Sequence, residues 1–436
     1  MNLKIDFTDK EITPWGGIVF LKRMLDKIEF AKILSELDIP KPGSNRGYSG
    51  TQLVISFIVS IWCGANKFFH TEVTRQDEVI KEIFGWKSMA GHLSFERFFC
   101  KFSKARNQRV FTDLYQWFFN QLKFDNYTLD VDSSVLTRYG SQEGATKGYN
   151  PSKPGRPSHH PIIAFVGSIR MIANCWLRPG NAYTSSNLFA FLQDTFDKLK
   201  GKTIGLLRAD SGFYNNEIFN WLEEKSINYI IAARMYAPIQ RLISSHKVWL
   251  KLGDGIEIAD SIYKSPSWEK ARRIIITRQY VPHRPKATGK LLKLFKEESW
   301  YMQYRYSCVI TSLNLPAEQV WNTYKQRADA ENRIKELKYD FGFDSFNLKD
   351  FYATEACLNM AMIAYNLMSL FRQAVIQKDV QNTLSTIRYK VMAIGAYMIK
   401  EGNQKILKLS LAMKRRESFR GLWTQSNEFN WPFEYT

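Results

Sequence analysis

The stretch from Trp321 to Phe341, WNTYKQRADAENRIKELKYDF, constrains the fold of this chain more than any other. It contains no Gly or Pro and consists of good helix formers, so it predicts one continuous helix. At about 100° per residue, Tyr324, Arg327, Glu331 and Lys338 fall within an arc of roughly 60°. Ala330, Ile334, Leu337 and Phe341 form an adjacent apolar stripe fit for burial. One carboxylate is thereby held among two cations and a phenol, beside a face that anchors it. A plainer reading of the same residues is a solvated face on which Glu331 pairs with Lys335 at i,i+4.

The region upstream predicts what that helix packs on. YTLDVDSSVLT, from Tyr127, alternates and is rich in β-branched residues, so it reads as a strand. Asp130 and Asp132 sit two apart in it and face the same side. A Gly/Pro-rich basic loop follows, from Gly140 to Pro157. Ile162 to Ile172 and Cys175 to Leu177 predict two more strands. Ser185 to Leu199 predicts a helix, Thr203 to Leu207 a strand, Asn215 to Lys225 a helix and Tyr229 to Ala233 a strand. Asp210, in RADSGFY, lies just past the end of the fourth strand. Three strands followed by alternating helix and strand predict an α/β mixed sheet flanked by helices.

Residues from about 235 to 300 interrupt this plan. They include the basic stretch Trp268 to Glu298, with strand-like alternation from Arg273 to Tyr280, and read as an inserted β-rich subdomain or DNA-binding arm. Tyr306 to Thr311 returns to a strand, and Pro316 opens the long helix. Residues 1–125 read as helical, with Thr51 as N-cap of a buried helix and Ser94 as N-cap of another. Short helices bearing Arg and Lys there suit either a helix-turn-helix-like DNA reader or an ordinary helical domain, and no one helix stands out as the reader. The domain plan is therefore 1–125, 126–350 with the insertion at about 235–300, and a helical 351–436.

The 436 residues carry a formal net charge of +19, which points to a polyanionic partner, with nucleic acid first. The N-terminus lacks a basic segment followed by an apolar one, so no secretory signal is expected. The most apolar run, Leu53 to Ala65, is too short to span a bilayer. Five cysteines without a C-x-x-C pattern predict reduced core thiols rather than disulfides or a zinc site. His159-His160, before Pro161, reads as a turn or substrate contact rather than a metal ligand.

Three motifs carry a family resemblance. The helix spells Tyr-x2-Arg-x3-Glu-x6-Lys with Tyr324, Arg327, Glu331 and Lys338. Asp132 begins Asp-Ser-Ser, which resembles D-x-[ST], and Asp210 stands in an A-D-x-G-[FY] context. The loop QEGATKGYNPSKPGRPSHHP adds a fourth element. The chain resembles the IS4-like DDE transposases of bacterial insertion sequences, in particular their IS1380 branch, from about Trp15 to the early four hundreds. Ser134 replaces the commoner Thr, and Asp130 competes with Asp132 for the role of first aspartate.

The resemblance implies a ribonuclease-H-like mixed-sheet catalytic core with an inserted β-rich subdomain, between helical N- and C-terminal regions. It implies that Asp132, Asp210 and Glu331 are the catalytic and metal-binding residues, holding two Mg²⁺ ions for which Mn²⁺ substitutes. Asp132 would bridge both ions, and Tyr324, Arg327 and Lys338 would grip DNA. The partner implied is double-stranded DNA, both the inverted-repeat ends and the target, bound by a homodimer in the bacterial cytoplasm at the nucleoid. Cleavage via a hairpin and joining of 3′-hydroxyls to target DNA would follow. Trp300 or Tyr301 is weighed between stacking on an extruded base and core packing, with packing favoured. The competing functions are a catalytically idle DNA-binding descendant, which would have lost a carboxylate, and a nuclease of the same fold.

Overall fold

A computed structural model describes residues 3–43, 47–281, 304–378 and 380–435. Trp300, Tyr301 and the end of the basic stretch lie outside the described residues.

The N-terminal part is helical, as its periodicity predicts. Its main helices are α1 (Ile18–Lys27), α2 (Gly50–Trp62) and α3 (Lys104–Asn120). In α2 every residue from Leu53 to Trp62 is buried. Its N-cap is Ser49, whose side chain accepts the Gln52 N–H, rather than Thr51. Gly91, not Ser94, precedes the helix at His92–Phe99. Both predicted caps miss by two or three residues, because several Ser, Thr and Gly stand near each start and only packing selects among them.

Nine strands among the described residues form one sheet. In chain order they are β1 (Tyr127–Ser133), β2 (Ile162–Val166), β3 (Met171–Trp176), β4 (Ile204–Ala209) and β5 (Asn228–Ala232). Then come β6 (Leu250–Gly253), β7 (Ile256–Tyr263), β8 (Arg272–Tyr280) and β9 (Tyr304–Thr311). Their spatial order is β6-β7-β8-β9-β5-β4-β1-β2-β3. β1, β2 and β3 form an antiparallel meander, while β4 runs parallel to β1 and β5 parallel to β4. Helices α4 (Leu188–Lys198) and α5 (Asn216–Glu224) make the crossovers. The predicted run Ile162 to Ile172 is two strands, split where Arg170 turns at φ 55°.

The strands expected within 235–300 are present, but they are not a separate layer. β9 pairs antiparallel with β5 and with β8, and β8 with β7, so the main sheet simply continues. Ile274, Ile275 and Ile276 of β8 are fully buried. A basic composition suggested an arm; the three central isoleucines make this half of the stretch core instead.

The predicted Trp321–Phe341 helix is also divided. Helix α6 (Ala317–Lys325) ends, and α7 (Ala328–Asp340) begins, across a tight turn at Gln326–Arg327. There the N–H of Arg327 reaches the carbonyl of Tyr324 and that of Ala330 reaches Arg327, both i→i−3 bonds. The apolar stripe does bury: Ala330, Leu337 and Phe341 are fully enclosed and Ile334 nearly so.

The chain then enters α8 (Phe351–Leu370), almost wholly buried, and later forms α9 (Met413–Glu428), which a two-residue strand at Phe433–Glu434 follows. The C-terminal region is not purely helical, since Ala396–Glu401 and Gln404–Leu409 form a hairpin. The two ends of the chain share one core. Phe20 of α1 packs edge-on against Phe419 of α9, Arg23 stacks 3.8 Å from the Trp423 ring, and Leu122 pairs with Phe433. Trp62 Nε1 donates to the Ala364 carbonyl, fixing α2 to α8. No helix among the described residues is long and apolar enough to cross a membrane.

Candidate active site

The parallel pairing of β1 with β4 sets the site. Asp130 lies opposite Arg208 and Val131 opposite Ala209, so Asp132 and Asp210 follow side by side at the ends of neighbouring strands. Parallel neighbours present side chains in step, and two residues along each strand return to the same face. The result is two pairs in tandem, Asp130 with Arg208 and Asp132 beside Asp210.

The first pair is closed. Arg208 donates Nε to Asp130 Oδ1 at 2.6 Å and Nη2 to Oδ2 at 2.8 Å, and both residues are buried. Such a fork occupies both carboxylate oxygens. The second pair is left for other partners. Asp132 receives only the amide of Ser133 on Oδ1, at 2.8 Å, besides its ion pair with Arg327. Asp210 turns back on itself, with Oδ1 accepting the Gly212 N–H at 2.8 Å. A Cβ on Gly212 would stand 2.6 Å from Thr184 Cγ2 and 2.9 Å from that same Oδ1, so this tight turn needs glycine.

The turn between α6 and α7 brings the remaining groups over Asp132. Arg327 Nη2 lies 3.0 Å from Asp132 Oδ2, and Nη1 lies 3.8 Å from Glu331 Oε1. Glu331 itself is exposed, and its ion pair runs back to Arg327 rather than on to Lys335. Burial raises the Asp132 carboxyl to about 6; Arg327 opposes the rise, while Asp210 and Glu331 add to it. Burial likewise pushes the Tyr324 phenol up to about 12, with the three carboxylates contributing. Burial works against the Arg327 charge, yet Asp132, Tyr324 and Asp210 hold its pKa above the ordinary value.

Five of the six predicted residues, Asp132, Asp210, Tyr324, Arg327 and Glu331, therefore feel one another. Lys338 sits further along α7 and donates to the Val135 carbonyl at 3.2 Å, just past β1. Burial lowers its pKa, with Asp344 opposing.

Three carboxylates without thiol or thioether form a donor set suited to a hard divalent cation. As the side chains stand, however, no three acidic, His or Cys residues among those described are close enough to hold an ion. Positive charge at this point comes from Arg327, whose Nη2 faces Asp132 and whose Nε is buried without a hydrogen-bond partner. The donor chemistry fits a metal, and one unspent guanidinium donor remains beside it.

His159 and His160 are structural neighbours of the site. Arg138 Nε donates to His159 Nδ1 at 3.0 Å, and His159 Nε2 donates to the Glu143 carbonyl at 2.9 Å. Burial lowers the His159 pKa to about 4. His160 meets the Ala182 carbonyl and, through Nε2, Ser133 Oγ at 3.1 Å. Two arginines near the site went unnoticed in the sequence. One is Arg208. The other is Arg234, which donates to the carbonyls of Ser211 and Gly212 and so braces the turn after Asp210. Arg208 had a signal: it precedes Asp210 by two, as Asp130 precedes Asp132.

A mixed sheet, a carboxylate pair at the ends of parallel strands and a basic helix turn above them belong to a DDE-type DNA transposase. The family model described as transposase DDE domain group 1 matches residues 1–427, and the chain belongs to that family. Transposases of this class act on DNA and use divalent metal ions. No curated protein matches the sequence. Among solved structures, the chain is similar to the piggyBac transposase synaptic complex with hairpin DNA, at 10% identity and a TM-score of 0.44. That similarity covers 88% of this chain and 81% of the other.

Proposed function

We propose that this transposase moves an insertion element of the IS4-like group, IS1380 branch, by a cut-and-paste route. It binds the element's terminal inverted repeats, cuts them, frees the ends through a hairpin and joins the 3′-hydroxyls to target DNA. The observation that carries this reading is the side-by-side position of Asp132 and Asp210, with Arg327 bridging from Asp132 to Glu331. The order β3-β2-β1-β4-β5, an antiparallel meander followed by two parallel strands, supports a ribonuclease-H-like core. Within it, residues 126–350 form the catalytic region, 1–125 the DNA-binding region and 351–436 a C-terminal support.

Asp132, Asp210 and Glu331 would hold two Mg²⁺ ions, or Mn²⁺ in their place. Such a pair, when bound, activates the attacking oxygen and stabilises the leaving one. Asp130 is not a ligand in this reading, because Arg208 occupies both of its oxygens. Arg327, whose buried Nε has no hydrogen-bond partner, would present its guanidinium to a phosphate, a planar fork suited to two oxygens. Tyr324 keeps its proton at any physiological pH and donates through it. Lys338 supplies a point charge at the edge of the strand path. Two ends must be processed together, so the working form on DNA is a homodimer.

The test is a Mg²⁺-dependent cleavage assay on DNA carrying the element's own ends, with Glu331→Gln as control. Hairpin and strand-transfer products that vanish in the mutant support the reading. Cleavage without strand transfer points to a nuclease, and tight binding without cleavage in Mg²⁺ or Mn²⁺ points to an idle DNA-binding protein.

A further inference from the structure

We infer that the buried Asp130–Arg208 pair is a positioning device, which divides the α6–α7 helix and thereby sets Arg327 over Asp132. The inference rests on the site reading above but concerns residues that touch neither DNA nor metal in it.

The geometry is continuous from sheet to helix. Arg208 uses Nε and Nη2 on Asp130, and its remaining Nη1 donates to the carbonyl of Thr323 in the last turn of α6. In an unbroken helix that carbonyl would accept the N–H of Arg327, four residues on. Here the Arg327 N–H bonds instead to Tyr324, at i→i−3, which releases the Thr323 carbonyl to Arg208. A carbonyl released in a part-buried place is stabilised by a donor, and the sheet supplies it. The sequence gives no local reason for a break between Lys325 and Ala328, so this capture is its physical cause.

The far side of the turn is tied down in the same way. Arg333 of α7 donates Nη2 to the Gly167 carbonyl at 3.0 Å. Gly167 lies against the ion pair, where a Cβ would stand 3.2 Å from Asp130 Oδ2 and 3.3 Å from Arg208 Nη2. Arg208 thus holds the end of α6, Arg333 holds the second turn of α7, and the turn between the helices carries Arg327 and leads into Glu331. Asp130 acts only through Arg208, by fixing the plane of its guanidinium.

The decisive variant is the full-length double substitution Asp130→Leu with Arg208→Met. Replacing a buried ion pair by apolar groups of similar volume commonly preserves stability, so the fold should survive while the Thr323 anchor is lost. Hydrogen exchange at the amides of Arg327 to Glu331 should then differ from wild type, while the α8 core exchanges as before. Affinity for end DNA should be unchanged and single-turnover cleavage should fall about a hundredfold, the scale of a small misplacement of reacting groups. Arg208→Lys, which keeps the charge but lacks the fork, should show the same split if the double variant fails to fold. Wild-type exchange at the turn in a variant lacking the fork overturns the inference. So does altered exchange with wild-type cleavage, provided Glu331→Gln is inactive. If Glu331→Gln itself cleaves normally, the reading of the site has failed, while the exchange experiment still judges the anchor.

Discussion

Arg327 Nη2 lies 3.0 Å from Asp132 Oδ2, so the carboxylate at the end of β1 is matched by a cation from the turn above it. Each partner makes the other's burial tolerable. Asp132 lacks the hydrogen bonds that would satisfy it alone, and the buried Arg327 Nε has no hydrogen-bond partner of its own. Removing either residue leaves a charge in a place built for two.

Replacing Arg327 by Ala should slow end cleavage by about a hundredfold to a thousandfold, the usual loss when a preorganised donor is removed. Arg327→Lys should recover only part of it, because an ammonium cannot supply two parallel donors. Single-turnover cleavage measures both, and end processing at the wild-type rate in the Ala variant removes Arg327 from the phosphate-gripping role.

Asp132→Asn, Asp210→Asn and Glu331→Gln should each lower cleavage by on the order of a thousandfold or more while leaving DNA affinity nearly intact. Thermal denaturation with and without Mg²⁺ gives a second readout, since a ligand that binds only the folded state raises the melting temperature. The rise should shrink in these variants and persist in Asp130→Asn. A lost Mg²⁺ response in Asp130→Asn with a normal one in Asp132→Asn would reverse the two aspartates.

His159 supplies a pH dependence. Its folded pKa, about 4, lies below the ordinary 6.5, so between these values the unfolded chain binds more protons than the folded one. Stability from this group is full above about 6.5 and declines as pH falls toward 4. Urea midpoints of His159→Gln should fall less steeply over that window than those of wild type. Parallel curves would place the acid sensitivity elsewhere.

Trp62 joins α2 to α8 and is fully buried. Trp62→Ala should destabilise the protein by about 3–5 kcal/mol. Trp62→Phe should cost less, losing chiefly the indole hydrogen bond to the Ala364 carbonyl. Denaturant unfolding with a common slope checks both, and an Ala variant within about 1 kcal/mol of wild type would mean that the cavity collapses.

Much of the architecture was legible because it repeats simple periods. Alternation located β1, β4 and β5, a buried apolar run located α2, and the apolar stripe correctly gave the face of α7. What stayed hidden depends on contacts distant in sequence. The division of the long helix is set by Arg208, more than a hundred residues upstream, and no Gly or Pro advertises it. Basic residues around Arg272 and Arg273 suggested a solvent-facing arm, yet Arg272 spends its charge on Glu223, Asn216 and Asn220 within the fold. The spacing Asp130/Asp132 against Arg208/Asp210 was visible, but only the parallel register of β1 and β4 gives it meaning.

The shared core of the two chain ends bears on how the molecule is made. Because α1 is covered by α9 and Leu122 pairs with Phe433, the N-terminal helices emerge from the ribosome long before their last partners exist. Contacts this far apart close slowly, and the part of the α1 face that α9 covers stays open until α9 has been made. A premature stop anywhere before α9 would therefore leave that face uncovered, and damaged gene copies should yield insoluble or degraded chains rather than competing half-active ones.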